Sequence, residues 1–119
     1  MDTELHPLYG KELFATAEGT VYQHNRKGCF YVDFWGEVSA FKVPCFFALK
    51  KRVDDVDIVA MASNPSREYD YAIISPCGSE RCYVLTLCEV LAFKDLLAGA
   101  KVMLELNSIL YEKLYSVGV

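Results

Sequence analysis

The sequence predicts an α+β fold: an antiparallel sheet of about five or six strands, with a short middle helix and a long C-terminal helix packed on it. Three observations predict this fold. Short β-rich runs with turn signals precede Pro44, good helix formers follow it directly, and a long apolar-periodic run follows Thr86. The expected order is three or four strands, a helix, two strands and a helix.

The composition is typical of one folded domain. The chain has 119 residues, of which 53% are hydrophobic and 24% are charged, and domains of this length bury a sizeable core. We therefore expect a single α+β domain over residues 1–119, with residues 1–10 as a loose N-terminal tail. The sequence has no apolar run of the ~18 residues that span a membrane and starts without a basic and apolar leader. These features predict a soluble, cytoplasmic protein without membrane contact.

Turn signals divide the first part of the chain into strands. They lie at Glu18-Gly19, at residues 25–28 and at Gly36. In the run before Gly36, apolar residues alternate with Tyr31 and Asp33, which is typical of a strand with one core face. The side chains predicted for that core face are Phe30, Val32 and Phe34.

The middle of the chain predicts a helix and then a hairpin. Pro44 suits the first position of a helix, which should extend over residues 44–54. The segment after it reads as a connection with one short strand or turn near residues 58–61. The runs YDYAIIS and RCYVLT flank the connector PCGSE, which is a hairpin signal.

A capping signal precedes the C-terminal helix. Thr86 is followed three residues later by Glu89, so that each side chain can bond the other residue's backbone amide. The helix should start there and continue to about residue 116, with Gly99 and Asn107 as possible break points.

The hexapeptide EVSAFK at 37–42 returns as EVLAFK at 89–94, in a series of identities at an offset of 52 residues. The first copy lies between Gly36 and Pro44, and the residue before a proline is extended. The second copy lies behind the capping signal. We therefore predict a strand for the first copy and a helix for the second, rather than a duplicated unit.

Cysteines and histidines suggest a metal hypothesis. His24 and Cys29 flank one predicted turn and Cys77 and Cys82 flank another, so four ligands for zinc would meet if the turns converged. The spacing differs from that of zinc knuckles, and ordinary strand residues are the preferred interpretation. A catalytic Cys–His pair, a phosphate loop and metal-loop motifs have no signal in this sequence. We expect no metal, no cofactor and no enzymatic activity.

Aromatic residues on the predicted strands suggest a binding face. Such a face can stack unpaired bases, and Arg26, Lys27 and Arg81 near the turns could meet phosphates. The net charge of −4 disfavours nucleic acid as a partner. The candidate residues of the face are Tyr22, Tyr31, Trp35, Tyr71 and Tyr83.

The runs GCFYVDFWGEVSAF and RCYVLTLCEVLAFKDLLAGAKVML make two-thirds of the chain similar to small bacterial proteins that carry a domain of unknown function. That resemblance implies a turn with paired cysteine-type ligands, which here reads HNRKGC and offers His24 and Cys29. It implies no activity. The order of strands followed by a helix also resembles single-strand-binding folds built from two such units.

The C-terminal helix predicts a homodimer. One sheet face cannot cover both of its apolar rows. The second row could be buried by the first helix within one chain, or by a second copy at a two-fold interface, which is the interpretation we adopt. The residues predicted for that interface are Met103, Leu106, Leu110 and Leu114. The predicted function is a non-catalytic interaction or regulatory module that acts as a homodimer. The alternatives are a single-stranded nucleic-acid-binding module with an aromatic sheet face and a degenerate metal-binding domain.

Overall fold

The computed structural model describes residues 5–66, 70–76 and 82–117, with side chains up to residue 108. It confirms the α+β fold, with a five-stranded antiparallel sheet, a short helix after it and a long C-terminal helix. The described elements are β1 (Leu5–His6), β2 (Gly10–Ala15), β3 (Gly19–His24), β4 (Cys29–Phe34), β5 (Glu37–Lys42), α1 (Val43–Asp54), α2 (Ile58–Ser63), β6 (Ala72–Ile74), β7 (Tyr83–Leu85) and α3 (Leu87–Val117).

Strands β1 to β5 form a meander in which every strand pairs with its neighbour in the sequence. Tight turns make this order possible. Trp35 and Gly36 both have positive φ, 54° and 84°, between the paired residues Phe34 and Glu37. That geometry belongs to the two-residue turn that matches the twist of a hairpin.

The prediction of a loose tail over residues 1–10 is wrong from Leu5 onward. Leu5 pairs with Lys11 and His6 pairs with Gly10, which adds β1 to the edge of the sheet. Residues 7–9 form the turn between them. Residues 1–4 lie outside the described part of the chain.

The region near Ile58 is a helix, α2, where the sequence predicted a short strand or turn. Asp57 caps it, because its carboxylate accepts a hydrogen bond from the amide of Ala60 at 2.9 Å. The predicted hairpin is present, but β6 and β7 form a separate two-stranded sheet and do not extend the first one.

The core lies between the inner face of the meander and the helices. Helix α3 packs on β2 and β3, while α1 packs against α3 and β5. Aromatic pairs join the layers: the rings of Phe34 and Phe93 stack at 4.3 Å and those of Phe30 and Phe46 at 4.5 Å. Fully buried aromatic side chains contribute about 1.5–3 kcal/mol each. The predicted core residues Phe30, Val32 and Phe34 are all buried.

The two hexapeptides have different structures, as predicted. EVSAFK is strand β5, and EVLAFK lies in the first turns of α3. The capping pair is formed: the amide of Glu89 donates to Thr86 Oγ1 at 3.3 Å, and the amide of Thr86 donates to Glu89 Oε1 at 2.8 Å.

Helix α3 is continuous through Gly99 and Asn107. Its 31 residues span about 46 Å at ~1.5 Å per residue, and the molecule measures 60 × 27 × 26 Å. Among the side chains of α3 that the structure describes, up to residue 108, the fully buried ones end at Ala100, and Met103 and Leu104 pack partly on the core. The C-terminal part of α3, residues 105–117, therefore projects beyond the globular core. We call it the distal segment.

Candidate functional site

The sheet face opposite α3 has no helix on it in the described part of the chain. Alternation along β3 and β4 decides which side chains it presents. Because Val21 and Val32 are paired and buried, the next cross-strand pair, Tyr22 and Tyr31, points to the opposite side. We call this side the open face.

Five rings meet at one end of the open face, and we call them the aromatic cluster. Tyr9 is central: its ring centroid lies 4.2 Å from that of His6, 5.3 Å from that of Tyr22 and 5.0 Å from that of Tyr31. His24 extends the cluster, with its ring centroid 6.2 Å from that of Tyr31. All five side chains are half-buried, so the rings support one another while part of each remains accessible.

A cleft of about 490 Å³ opens beside the aromatic cluster, and we call it the basic cleft. It is formed by β1, the turn after it, the start of β2, the end of β3 and the following turn. Pockets of about 300–1,000 Å³ are the usual size for small-ligand sites. The residues that line it are Leu5, His6, Pro7, Gly10, Lys11, Gln23, His24, Asn25 and Arg26.

Backbone amides fix both imidazoles. His6 Nδ1 accepts hydrogen bonds from the amides of Leu8 at 3.0 Å and Tyr9 at 3.2 Å. His24 Nδ1 accepts one from the amide of Lys27 at 3.3 Å. An imidazole nitrogen that accepts carries no proton, so the proton of each neutral ring is on Nε2. Each histidine can therefore donate a hydrogen bond from Nε2.

The phenol of Tyr22 has a raised pKa. Burial is the main cause, because it penalises the phenolate, and the carboxylates of Asp33 and Glu12 raise the pKa further. A hydrogen bond with Thr20 lowers it in part. The Tyr22 phenol consequently stays neutral at physiological pH and above.

The structure brings together only part of the predicted aromatic face. Tyr22 and Tyr31 lie side by side on the open face. Trp35 is 58% exposed but lies in the β4–β5 turn, and Tyr71 is 56% exposed just before β6. The placement of Tyr83 on this face was wrong, because it is 6% exposed in the core and contacts the ring of Phe93.

The four metal candidates do not form a described site. His24 and Cys29 are opposite each other in β3 and β4. Cys82 is exposed next to β7, with its Sγ 3.3 Å from Ser75 Oγ, and Cys77 lies outside the described residues. Over the described ranges, no group of three or more His, Cys, Asp or Glu side chains could hold a metal ion.

The predicted dimer residues lie along the end of α3. Met103 packs partly on the core of its own chain, whereas Leu106 is 45% exposed. Val102, one turn before Leu106, is 59% exposed and was not among the predicted interface residues. Leu110 and Leu114 fall where the helix backbone alone is described.

Because the sequence predicts a tail over residues 1–10, sequence reasoning misses His6 and Tyr9 as parts of a site, and it also misses the neighbouring Lys11. A signal was present: Pro7 and Gly10 enclose a short turn, and His6 precedes it. What the sequence could not supply is the pairing of β1 with β2, which carries His6 and Tyr9 onto the sheet.

Comparison of the chain with family models, with curated proteins and with solved structures gives no match. In the described residues, no helix combines the length and the apolarity that crossing a bilayer requires. The chemistry of the basic cleft and the form of α3 are therefore the observations from which a function can be inferred.

Proposed function

We propose that this protein is a non-catalytic interaction module of the cytoplasm that acts as a homodimer, joined through the C-terminal part of α3. The observation that carries the proposal is the distal segment. It extends beyond the globular core, and Val102 and Leu106 before and at its start are exposed.

A partner would stabilise a projecting helix of this kind. Isolated helices shorter than about 12–15 residues are marginal in water, and most helix stability comes from packing an apolar face. The distal segment, ELNSILYEKLYSV, is of that length and is rich in apolar residues, among them Leu106, Leu110 and Leu114. Burial of those residues against another helix would supply the missing stabilisation.

A second copy of the chain fits this surface better than a strongly charged partner. The distal segment has only three charged residues, Glu105, Glu112 and Lys113, so two copies do not repel each other strongly. Self-complementary apolar patches make two-fold dimers the commonest oligomers.

Free cysteines support the cytoplasmic part of the proposal. Among the described residues, Cys29, Cys82 and Cys88 form no disulfide. Free thiols are typical of a reducing compartment.

Sedimentation or light scattering at micromolar concentration tests the proposal. We expect a mass of twice the 13.4 kDa of one chain. The double variant Leu106→Glu, Leu110→Glu should remain folded by circular dichroism and sediment as a monomer. Val59→Glu is the control, because Val59 is 75% exposed and lies on α2 rather than on α3; it should remain dimeric.

A mass of one chain for the unmodified protein would overturn the proposal. A dimer that survives both glutamate substitutions would move the interface away from the distal segment and contradict it equally.

A further inference from the structure

The basic cleft has the charge of an anion site in an acidic protein. The chain has a net charge of −4, yet the described residues that line the cleft include Lys11, Arg26 and two histidines, and among these described residues there is no Asp or Glu. Within the described residues, Lys11 and Arg26 take part in no ion pair. An unpaired ammonium and an unpaired guanidinium at one cleft attract an anion.

Neutral donors complete the anion site. Because the Nδ1 atoms of His6 and His24 accept from backbone amides, both rings keep a proton on Nε2 without needing to become charged. Asn25 adds an amide group at the same cleft. A phosphate group, with several acceptor oxygens, matches such a set of donors.

The aromatic cluster adds the faces of several aromatic rings next to these donors. His6 belongs to both the cleft and the cluster, since its ring stacks on that of Tyr9 at 4.2 Å. Tyr31 has a cation close by, because Lys27 Nζ lies 5.9 Å from its ring centroid and 3.4 Å from its hydroxyl. Half-buried rings beside cations are the surface on which unpaired bases stack.

We infer that the aromatic cluster and the basic cleft together bind one nucleotide unit, with the base against the rings of Tyr9 and Tyr31 and the phosphate at Arg26 and Lys11. A free nucleoside monophosphate and a nucleotide within a single strand share this chemistry. The acidic residues of the open face, Glu12 and Asp33, do not line the cleft. They disfavour a long strand that crosses the whole face, so the site takes a single nucleotide unit.

Titration calorimetry on the full-length protein at low salt tests the inference. The probes are adenosine and uridine monophosphates, the matching nucleosides, inorganic phosphate, and a mixed-sequence single-stranded oligonucleotide. We expect the monophosphates to bind more tightly than both the nucleosides and phosphate. If the oligonucleotide binds more tightly than the monophosphates, the natural ligand is a nucleotide within a single strand. If the two affinities are equal, the natural ligand is a free nucleotide.

Two pairs of variants assign the binding to the cleft. Arg26→Ala, in an exposed turn, should weaken monophosphate binding about 10-fold or more, while Arg52→Ala, an exposed arginine on α1, should not change it. Tyr9→Leu should weaken it about 5- to 100-fold, which is the range for the loss of one stacking ring. Tyr71→Leu, at an exposed tyrosine away from the cluster, is its control.

Phosphate binding as tight as nucleotide binding would overturn the inference, as would an unchanged affinity in Arg26→Ala. Absence of binding by every probe at millimolar concentration would overturn it as well. If Tyr9→Leu does not fold, Arg26→Glu in the exposed turn replaces it as a test. The inference does not depend on the proposed dimer. The Leu106→Glu, Leu110→Glu variant should therefore bind the monophosphates with unchanged affinity per chain.

Discussion

The contact between Gly99 and Phe14 depends on the absence of one carbon atom. A Cβ on Gly99 would overlap the ring of Phe14, which reaches α3 from β2. The sequence suggested Gly99 as a point where the helix breaks, but the helix is continuous there. The glycine allows close packing of helix and sheet, which is a common reason for glycine inside a helix.

Gly99→Ala should lower the free energy of unfolding by roughly 1–3 kcal/mol because of this overlap. Helix propensity alone would give the opposite sign, since alanine is about 1 kcal/mol better than glycine inside a helix. The midpoint of urea denaturation measures the difference. Adding Phe14→Leu to Gly99→Ala should restore part of the loss, and a higher midpoint for Gly99→Ala would contradict the packing explanation.

The raised pKa of Tyr22 predicts that the stability of the protein decreases at alkaline pH. Above pH ~10, the ordinary pKa of tyrosine, the phenol ionises in the unfolded chain while it stays protonated in the folded one. The unfolded state then binds fewer protons, so stability falls as pH rises through this range. Below pH 10 the contribution of Tyr22 is fully present.

Denaturation midpoints measured between pH 9 and pH 11 test whether stability falls as pH rises. Tyr22→Phe should reduce the slope of the midpoint against pH. Tyr71→Phe, at an exposed tyrosine, should leave the slope unchanged. Equal slopes for the unmodified protein and Tyr22→Phe would show that Tyr22 is not the cause.

At the scale of elements, local signals around a hexapeptide decide its structure. EVSAFK and EVLAFK differ in one residue, yet the first is β5 and the second belongs to α3. Thr86 and Glu89 give the second copy a helix start, and Gly36 and Pro44 give the first copy a turn before it and a helix after it. The flanking residues, and not the shared hexapeptide sequence, therefore determine the secondary structure of each copy.

Thr86→Ala should destabilise the protein by about 1 kcal/mol, with a range of roughly 0.5–2 kcal/mol, because the amide of Glu89 loses its acceptor. Glu89→Ala removes the reciprocal bond. Since the two side chains act as one unit, the double variant should cost less than the sum of the two singles. Asp95→Ala, exposed on the same helix, is the control, and strict additivity would count against a reciprocal cap.

At the scale of the whole molecule, the distal segment has consequences for stability. If two copies bury it against each other, dimerisation favours the folded state by mass action. The unmodified protein should therefore unfold at a higher temperature when its concentration rises from about 1 to 100 µM. The Leu106→Glu, Leu110→Glu variant should unfold at a temperature that does not depend on concentration. Circular dichroism measures both, and a constant unfolding temperature for the unmodified chain would argue against the dimer.

The sequence alone determined the features that depend on near neighbours. The strand β4 follows from alternation, α1 from Pro44, and the start of α3 from Thr86 and Glu89, because each signal acts within a few residues. Helix α2 was missed although Asp57 is a capping residue, because its short run has no buried side chain and little periodicity.

Only the tertiary structure decided which distant residues meet. The pairing of β1 with β2 makes a site from residues that looked like a tail, and the packing of the second hairpin hides Tyr83 in the core. The physical reason is that strand pairing and burial join residues far apart in the sequence, and no local pattern encodes the partner. The length of α3 was predictable from its periodicity, whereas its projection beyond the core depends on where the sheet ends.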